Sequence, residues 1–290
     1  MTNKQVYRMT TTTATETTKK VRMTAGERAG IPPRRMDFEF GEDTKRYWYA
    51  DNSFLTTFWT TLSALFPEGE TFFVDTVKNY RHEIKDQLLK DQVSGFIGQE
   101  AMHSKEHAAF NDVAERNGLP TGTLDKEVGW LLKLGRKILP KKLQLAITVA
   151  LEHYTAILAE QLLRDKRHQE NISDPEALKL WMWHALEENE HKIVAYDVYQ
   201  LVGGGYFLRT FAMLLATVFF FVIVIQGHAR LMWADGSLFK IKANLKGLND
   251  HDTVQLLDDW REKMLQDGGM LADQIKNPSH AHMTGNTSAA

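Results

Sequence analysis

Two Glu-x-x-His motifs, Glu100–His103 and Glu188–His191, constrain this chain more than any other feature. An α-helix turns about 100° per residue, so positions three apart share a face and each pair can bind one metal ion. Two more glutamates, Glu70 and Glu152, precede the motifs, one before each. Helical bundles that bind two metals use one Glu from each of two helices and a Glu-x-x-His from each of the other two. The sequence therefore predicts a dinuclear metal site made of these six residues.

The strength of this prediction lies in the order of the four elements, because a single Glu-x-x-His occurs readily by chance. The alternative is a set of solvated charges on exposed helix faces. Bulky apolar side chains next to the motifs argue against it, among them Phe72, Phe96, Leu151 and Ile193. Buried carboxylates and imidazoles need a partner, and a cation is one.

Apolar residues recur at helical spacing through most of the chain, and strand signals are scarce. Pro67 and Gly69 predict a break, with a second helix beginning near Glu70. Asp174 predicts an N-cap, with Pro175 at the first helical position. Residues 118–140 form a long connection, which predicts an all-α, ferritin-like four-helix bundle with one crossover and an additional apolar C-terminal helix. The predicted helical stretches are 54–66, 70–80, 91–117, 143–163 and 175–202.

The predicted inward faces carry further polar groups. His107 lies one turn beyond His103, and His184 lies one turn before Glu188. Either is an additional metal ligand, an outer residue that orients a ligand, or a structural histidine. Four more groups point away from the inward face and are expected to be solvated or to lie outside the ligand set: Glu106, His153, Glu187 and Glu190.

A stretch of fifteen residues without a charge, 211–225, reads FAMLLATVFFFVIVI. It predicts an apolar helix over 206–235, for which a buried helix, a homodimer seam and membrane contact through 206–226 all stay open. The predicted domains are a disordered arm (1–35), the di-metal bundle (36–205), this helix, a helical segment (236–267) and a disordered tail (268–290).

Composition narrows the chemistry. The chain has no cysteine, which excludes disulfides, thiolate metal sites and cysteine nucleophiles. A metal must then be held by His and carboxylate, which suits two ions of iron first, with manganese or zinc as alternatives. A formal net charge of −2 predicts no nucleic-acid partner. Without an apolar secretory segment at the start, we expect a cytoplasmic protein, either free or at the inner face of the membrane.

Four segments carry a family resemblance: FPEGETFF (66–73), QEAMHSKEHAAFN (99–111), LEHYTA (151–156) and WHALEENEHKIVAYDVY (183–199). Together they resemble the bacterial family of predicted metal-dependent hydrolases, and more broadly the ferritin-like di-iron carboxylate proteins. The resemblance covers about residues 36–240. It implies that Glu70, Glu100, His103, Glu152, Glu188 and His191 are the metal ligands.

Three functions fit these residues. The first is a di-iron enzyme that activates dioxygen to oxidise an apolar substrate, since four carboxylates balance the charge of two divalent ions. The second is a hydrolase using metal-activated water, although no Gly-rich loop or Arg cluster that would bind phosphate accompanies the motifs. The third is a non-enzymatic metal-binding or storage protein.

Overall fold

The computed structural model describes residues 23–41, 44–240 and 242. Within these ranges the chain is all-α, as predicted, and an isolated bridge between Tyr49 and Ile172 is the one pairing of extended backbone. The helices are α1 (Ala25–Arg28), α2 (Ser53–Lys78), α3 (Gln87–Arg116), α4 (Thr121–Ile138), α5 (Lys141–Arg164), α6 (Lys166–Asn171), α7 (Pro175–His191), α8 (Val194–Leu201) and α9 (Tyr206–Asp235).

Four long helices form the bundle. Helix α2 packs on α3 and α5, and α7 packs on α3 and α5. Helix α4 connects the α2–α3 pair to α5 and packs mainly on α2. This connectivity has the long crossover that the sequence predicted, while closer kinship with ferritin-like proteins stays a prediction.

Helix α2 does not break at Pro67, so the predicted interruption is wrong. Proline lacks an N–H, which leaves the carbonyl of Ser63, four residues earlier, without its helical partner. The Asn111 side-chain amide of α3 donates to that carbonyl at 3.0 Å and takes the place of the missing bond. The helix therefore continues to Lys78, with Glu70 inside it.

Two other predicted boundaries also differ. The connection after α3 contains α4, an 18-residue helix rather than a short one. The predicted helix 175–202 is divided after His191 into α7 and α8 by a turn at Lys192 and Ile193. The predicted start of α7 is confirmed, because the Asp174 side chain accepts hydrogen bonds from the first turn and Pro175 opens the helix.

The segment before α2 corrects part of the predicted N-terminal arm. Residues 23–35 are ordered on the bundle: α1 packs on α3, and Ile31 is buried. A Cβ added to Gly95 would lie 2.5 Å from the Ile31 carbonyl oxygen, so glycine is what permits this close approach. Residues 1–22 lie outside the described part of the chain, as do most of the predicted helical segment 236–267 and all of the predicted tail 268–290.

Helix α9 packs on α2 and α5, outside the bundle. Among the described helices it alone has the length and apolar composition to cross a membrane. Its outer side is exposed, since only 17% of its most apolar window is buried. Of the three alternatives that the sequence left open, this exposure excludes the buried helix.

The core consists of two main apolar clusters. One contains Leu62, Leu65 and the tryptophans of α7, and the other contains Phe72, Phe73 and Phe96. Along α2, the first cluster contains apolar residues that precede Glu70, and the second contains apolar residues that follow it. The polar groups around Glu70 therefore lie between two apolar layers, which shield them from bulk solvent.

Candidate metal centre

The bundle brings all six predicted residues into one buried cluster. Glu70 comes from α2, Glu100 and His103 from α3, and Glu152 from α5. Helix α7 supplies three residues, because His184 joins Glu188 and His191. Three sets of side chains each place three possible ligand atoms within 4.8 Å of one another. The sets are Glu70–His103–His184, Glu100–His103–Glu188 and Glu100–Glu152–His191.

Glu188 lies at the centre of the cluster. Its Oε1 atom is 3.0 Å from His184 Nε2 and 3.6 Å from His103 Nδ1. Its other oxygen, Oε2, is 3.6 Å from His191 Nε2. One carboxylate thus faces both halves of the site.

The remaining distances define the two ends. On one side His191 Nε2 is 2.9 Å from Glu100 Oε1 and 3.6 Å from Glu152 Oε2. On the other side His184 Nε2 is 3.9 Å from Glu70 Oε1. A cation at each end would have a carboxylate and an imidazole facing it.

Many polar atoms of the cluster are buried without a hydrogen-bond partner among the described residues. They are both carboxylate oxygens of Glu100 and of Glu152, Glu70 Oε1, His103 Nδ1 and His191 Nε2. Leaving such atoms unpaired costs several times the net value of one hydrogen bond. All of them point into the same cluster, so the donor set fits bound divalent cations.

Hydrogen bonds on the outer side fix which imidazole nitrogen is free at two histidines. His191 Nδ1 lies 2.9 Å from Gln99 Oε1, and the Gln99 amide nitrogen already donates to Glu190. Gln99 Oε1 therefore accepts from His191 Nδ1–H, so Nε2 is the nitrogen that faces into the cluster and can bind a metal ion once it loses its proton. His103 Nε2 donates to Glu187 at 3.1 Å. The other nitrogen of His103, Nδ1, therefore faces into the cluster and is available to bind a metal ion.

A relay from α2 fixes the third histidine. The Asn111 amide nitrogen donates to the Ser63 carbonyl, so Asn111 Oδ1 must accept the Ser63 hydroxyl hydrogen at 2.7 Å. With its one hydrogen used, Ser63 Oγ accepts from His107 Nδ1–H at 2.8 Å. His107 Nε2 then accepts from His184 Nδ1–H at 2.6 Å. The result is a lone pair on His184 Nε2, directed at Glu188.

These contacts distinguish possible metal ligands from outer residues among the polar groups whose roles the sequence did not decide. His184 belongs to a set of possible ligands, and His107 orients it from outside. Glu187 is fully buried and orients His103, and Glu190 acts through Gln99. Glu106 accepts from the backbone N–H groups of residues 37 and 38. His153 is exposed.

The sequence did not single out several residues that support the cluster. Arg34 donates to Glu187 and Glu190 at 2.9 and 2.6 Å. Ser104 donates to Glu70 Oε2 at 3.0 Å, and Thr155 donates to Glu188 Oε2 at 2.6 Å. Asn111 continues the spacing of His103 and His107 along α3, so helical periodicity could have found it. No sequence signal points to Arg34, which precedes Glu187 by more than 150 residues.

Burial and crowding shift the protonation of the carboxyl groups. Loss of hydration, with repulsion from neighbouring carboxylates, raises the pKa of Glu70, Glu100 and Glu152 well above the usual range. Burial acts the same way on Glu188, but attraction to His191 and His184 outweighs it and holds that pKa low. Without a cation, three of the four carboxyl groups therefore tend to retain protons.

The imidazoles shift in opposite directions. Burial, reinforced by His184, holds the pKa of His103 well below its ordinary value. Burial also disfavours charge on His191, but Glu188 outweighs it and raises the pKa to about 8. A metal ion at His191 must therefore displace a proton that the metal-free site holds at neutral pH.

An apolar cavity of about 200 Å³ reaches the cluster. Glu70 and Thr155 form its polar end, and apart from these two and the Tyr154 hydroxyl every lining residue is apolar. The walls come from α2, α4, α5 and α9. The cavity can accept an apolar molecule and bring one end of it to the cluster.

An all-α bundle with a buried cluster of carboxylates and imidazoles defines a candidate metal-dependent protein. The comparison with family models agrees: the chain belongs to the family described as predicted metal-dependent hydrolase, whose model matches residues 32–267. This confirms the family resemblance drawn from the four sequence segments. Neither a curated protein nor a solved structure matches the chain.

Proposed function

We propose that this protein is a metal-dependent hydrolase that cleaves an ester with an apolar chain. The observation that carries the proposal is the junction of two features at Glu70, where a buried cluster of metal-binding groups meets an apolar cavity. Membership of the hydrolase family supports hydrolysis over the dioxygen chemistry that the donor set alone had favoured.

The proposed ligands are the six residues predicted from the sequence together with His184. Their four carboxylates balance the charge of two divalent ions, so the loaded site is close to neutral. Bound ions of this kind act as Lewis acids and supply a water of lowered pKa. Glu188, which faces both halves, would help to hold both ions.

The chain itself places the substrate. The apolar wall of the cavity excludes water from the reacting bond and binds the chain of the ester. The polar end, formed by Glu70 and Thr155, faces the ester carbonyl. In the reaction, a water oxygen bonds to the carbonyl carbon, the carbon–oxygen bond to the leaving alcohol breaks, and the water proton passes to that alcohol.

The test combines metal analysis with an ester series. Metal-free protein is reloaded anaerobically with zinc, manganese or ferrous iron and assayed on p-nitrophenyl esters from acetate to palmitate. We expect about two metal ions per chain and hydrolysis that needs the metal and favours longer chains. Replacement of a ligand, as in Glu100→Gln, should lower kcat/KM at least 100-fold.

The matched control is His153→Ala, an exposed histidine next to a proposed ligand, which should keep wild-type activity and metal content. Hydrolysis that survives both metal removal and Glu100→Gln would overturn the proposal. So would protein that holds two ions and hydrolyses none of the esters.

A second candidate is oxidation of an apolar substrate by dioxygen at two iron ions. The oxygen-rich donor set favours it, because four carboxylates and three imidazoles suit iron. Uptake of dioxygen by the ferrous protein, without ester cleavage by any metal form, would select this reaction.

A further inference from the structure

Two helices outside the metal centre expose apolar side chains in helical rows. On α4 the row is Trp130, Leu134 and Ile138, each four residues from the last, with Trp130 67% exposed. On α9 the row begins at Phe207, which is 86% exposed. It continues at three- and four-residue spacing through Phe211, Leu214, Val218, Val222 and Ile225. We refer to these two rows as the α4–α9 face.

The two helices lie on one side of the molecule. Arg230 of α9 forms an ion pair with Glu127 of α4 at 2.7 Å. Both helices also line the apolar cavity, through Leu131 on α4 and Phe219 on α9, for example. The cavity therefore lies between the helices that carry the α4–α9 face.

Helix α9 follows the bundle along its length. Near its start Arg209 donates to the Tyr196 hydroxyl at 3.0 Å, and midway Thr217 Oγ1 lies 2.5 Å from the Tyr154 hydroxyl. Near its end His228 Nε2 lies 3.0 Å from the Phe54 carbonyl. If α9 crossed a bilayer, the bundle would enter the hydrocarbon together with the charged outer sides of α3 and α7. Lying flat in the interface is the orientation that buries the α4–α9 face and keeps the bundle in water.

Cations accompany the apolar row of α4. Lys133, Lys137 and Lys141 are exposed, and the described residues give none of them an ion-pair partner. Two acidic groups near this row are already engaged, Glu127 with Arg230 and Asp75 with Arg136. Amphipathic helices with lysine beside an apolar row bind anionic lipid surfaces, because each cation near the surface is attracted to the lipid phosphates.

Aromatic residues mark both ends of α9. Tyr206 and Trp233 are exposed at its first turn and its last turn. Tyrosine and tryptophan favour the boundary between lipid headgroups and acyl chains. A second copy of the chain would explain the apolar rows, but not the unpaired lysines beside them.

We infer that the α4–α9 face docks this protein on the surface of an anionic lipid bilayer. Helices α4 and α9 lie in the headgroup region, with the three lysines among the lipid phosphates. Because the cavity lies between these helices, docking places it against the acyl chains. The docking does not depend on the proposed hydrolysis, and its test measures binding alone.

The test is vesicle flotation of the full chain, with phosphatidylcholine vesicles or with vesicles containing 30% phosphatidylglycerol. The wild type should float at least ten times more with the anionic vesicles. Lys133→Glu/Lys137→Glu should reduce flotation at least fivefold. Lys179→Glu/Lys192→Glu is the matched control, because it makes the same charge change at α7 and should float like the wild type.

A second variant tests the apolar part. Leu214→Ser/Ile225→Ser should lose most of its flotation while keeping wild-type helix content and metal-to-protein ratio. Wild-type protein that stays unbound with both kinds of vesicle overturns the inference, whether it is a monomer or a stable dimer. Equal flotation with both vesicle types, or an unaffected Lys133→Glu/Lys137→Glu variant, also overturns it.

Discussion

Each imidazole of the cluster receives its orientation from a residue outside the cluster. Gln99 fixes His191, Glu187 fixes His103, and His107 fixes His184. In each case the outer nitrogen carries a hydrogen and the inner nitrogen faces the cluster. Such outer partners commonly change metal affinity by about 10–100-fold when they are removed.

Replacing Asn111 tests the longest of these chains. In Asn111→Ala the Ser63 hydroxyl loses its acceptor and can donate to His107 Nδ1 instead, which reverses the proton order toward His184. We expect the affinity for one metal ion to fall about 10–100-fold, measured by competition with a chelator. Asn117→Ala, at the C-terminal end of α3, should retain wild-type affinity. Tight binding of both ions by Asn111→Ala would contradict the relay.

A histidine far from the cluster gives a pH-dependent prediction. His168 Nδ1 is hydrogen-bonded to the Tyr49 hydroxyl at 2.7 Å, and burial lowers the pKa of His168 to about 4. In the unfolded chain the pKa of His168 is about 6.5. The stabilisation that depends on neutral His168 is therefore fully present above that pH and is lost as the pH falls toward 4. The loss should be about 2–3 kcal/mol by pH 4.5.

The variant His168→Asn keeps an acceptor near the Nδ1 position but cannot bind the proton. Its free energy of unfolding by urea should therefore approach that of the wild type as the pH falls from 7.5 to 4.5. A difference between the two proteins that stays constant over this range would contradict the assignment.

The helices show what the sequence could and could not predict. The inward faces of α3 and α7 follow directly from helical spacing, which is why Glu100, His103, Glu188 and His191 could be predicted together. The break at Pro67 was wrong because the missing backbone bond is replaced from another helix, by Asn111. Local patterns cannot foresee a bond between residues 48 positions apart.

The junction of α8 and α9 depends on a single glycine. A Cβ at Gly204 would lie 2.2 Å from the ring of Tyr199, which is fully buried. Gly204→Ala should therefore lower the free energy of unfolding by about 1–3 kcal/mol. Gly205→Ala is the control, since its added Cβ meets nothing within 4 Å and should cost less than about 1 kcal/mol. Thermal or urea unfolding compares them, and equal losses would contradict this role for Gly204.

The molecule as a whole joins elements that are far apart in the sequence, and this was the least predictable part. Composition placed residues 23–35 in a loose arm, yet Arg34 from this segment reaches the carboxylates of α7. The apolar row of α9 was visible in the sequence, but its position beside α4 and the cavity was not. Such arrangements depend on the packing of whole helices rather than on spacing within one.

The charge of the cluster links metal binding to the stability of the entire fold. Without metal, the raised pKa values of Glu70, Glu100 and Glu152 mean that the folded chain retains protons that the unfolded chain releases above about pH 4.5. The contribution of these three groups to the stability of the metal-free protein is therefore fully present at low pH and falls as the pH rises through the raised values. His191 adds to this decline up to its pKa of about 8.

Metal ions reverse this dependence, because they bind the deprotonated groups. The difference in melting temperature between loaded and chelator-treated protein should therefore widen from pH 5 to pH 8. At a free metal concentration of about 100 times Kd, the stabilisation is about 2.7 kcal/mol.

Glu152→Gln removes one crowded charge, so it should stabilise the metal-free protein at pH 8 and weaken metal binding. The exposed substitution Glu170→Gln should do neither, and a difference in melting temperature that narrows with rising pH would contradict metal binding by these carboxylates.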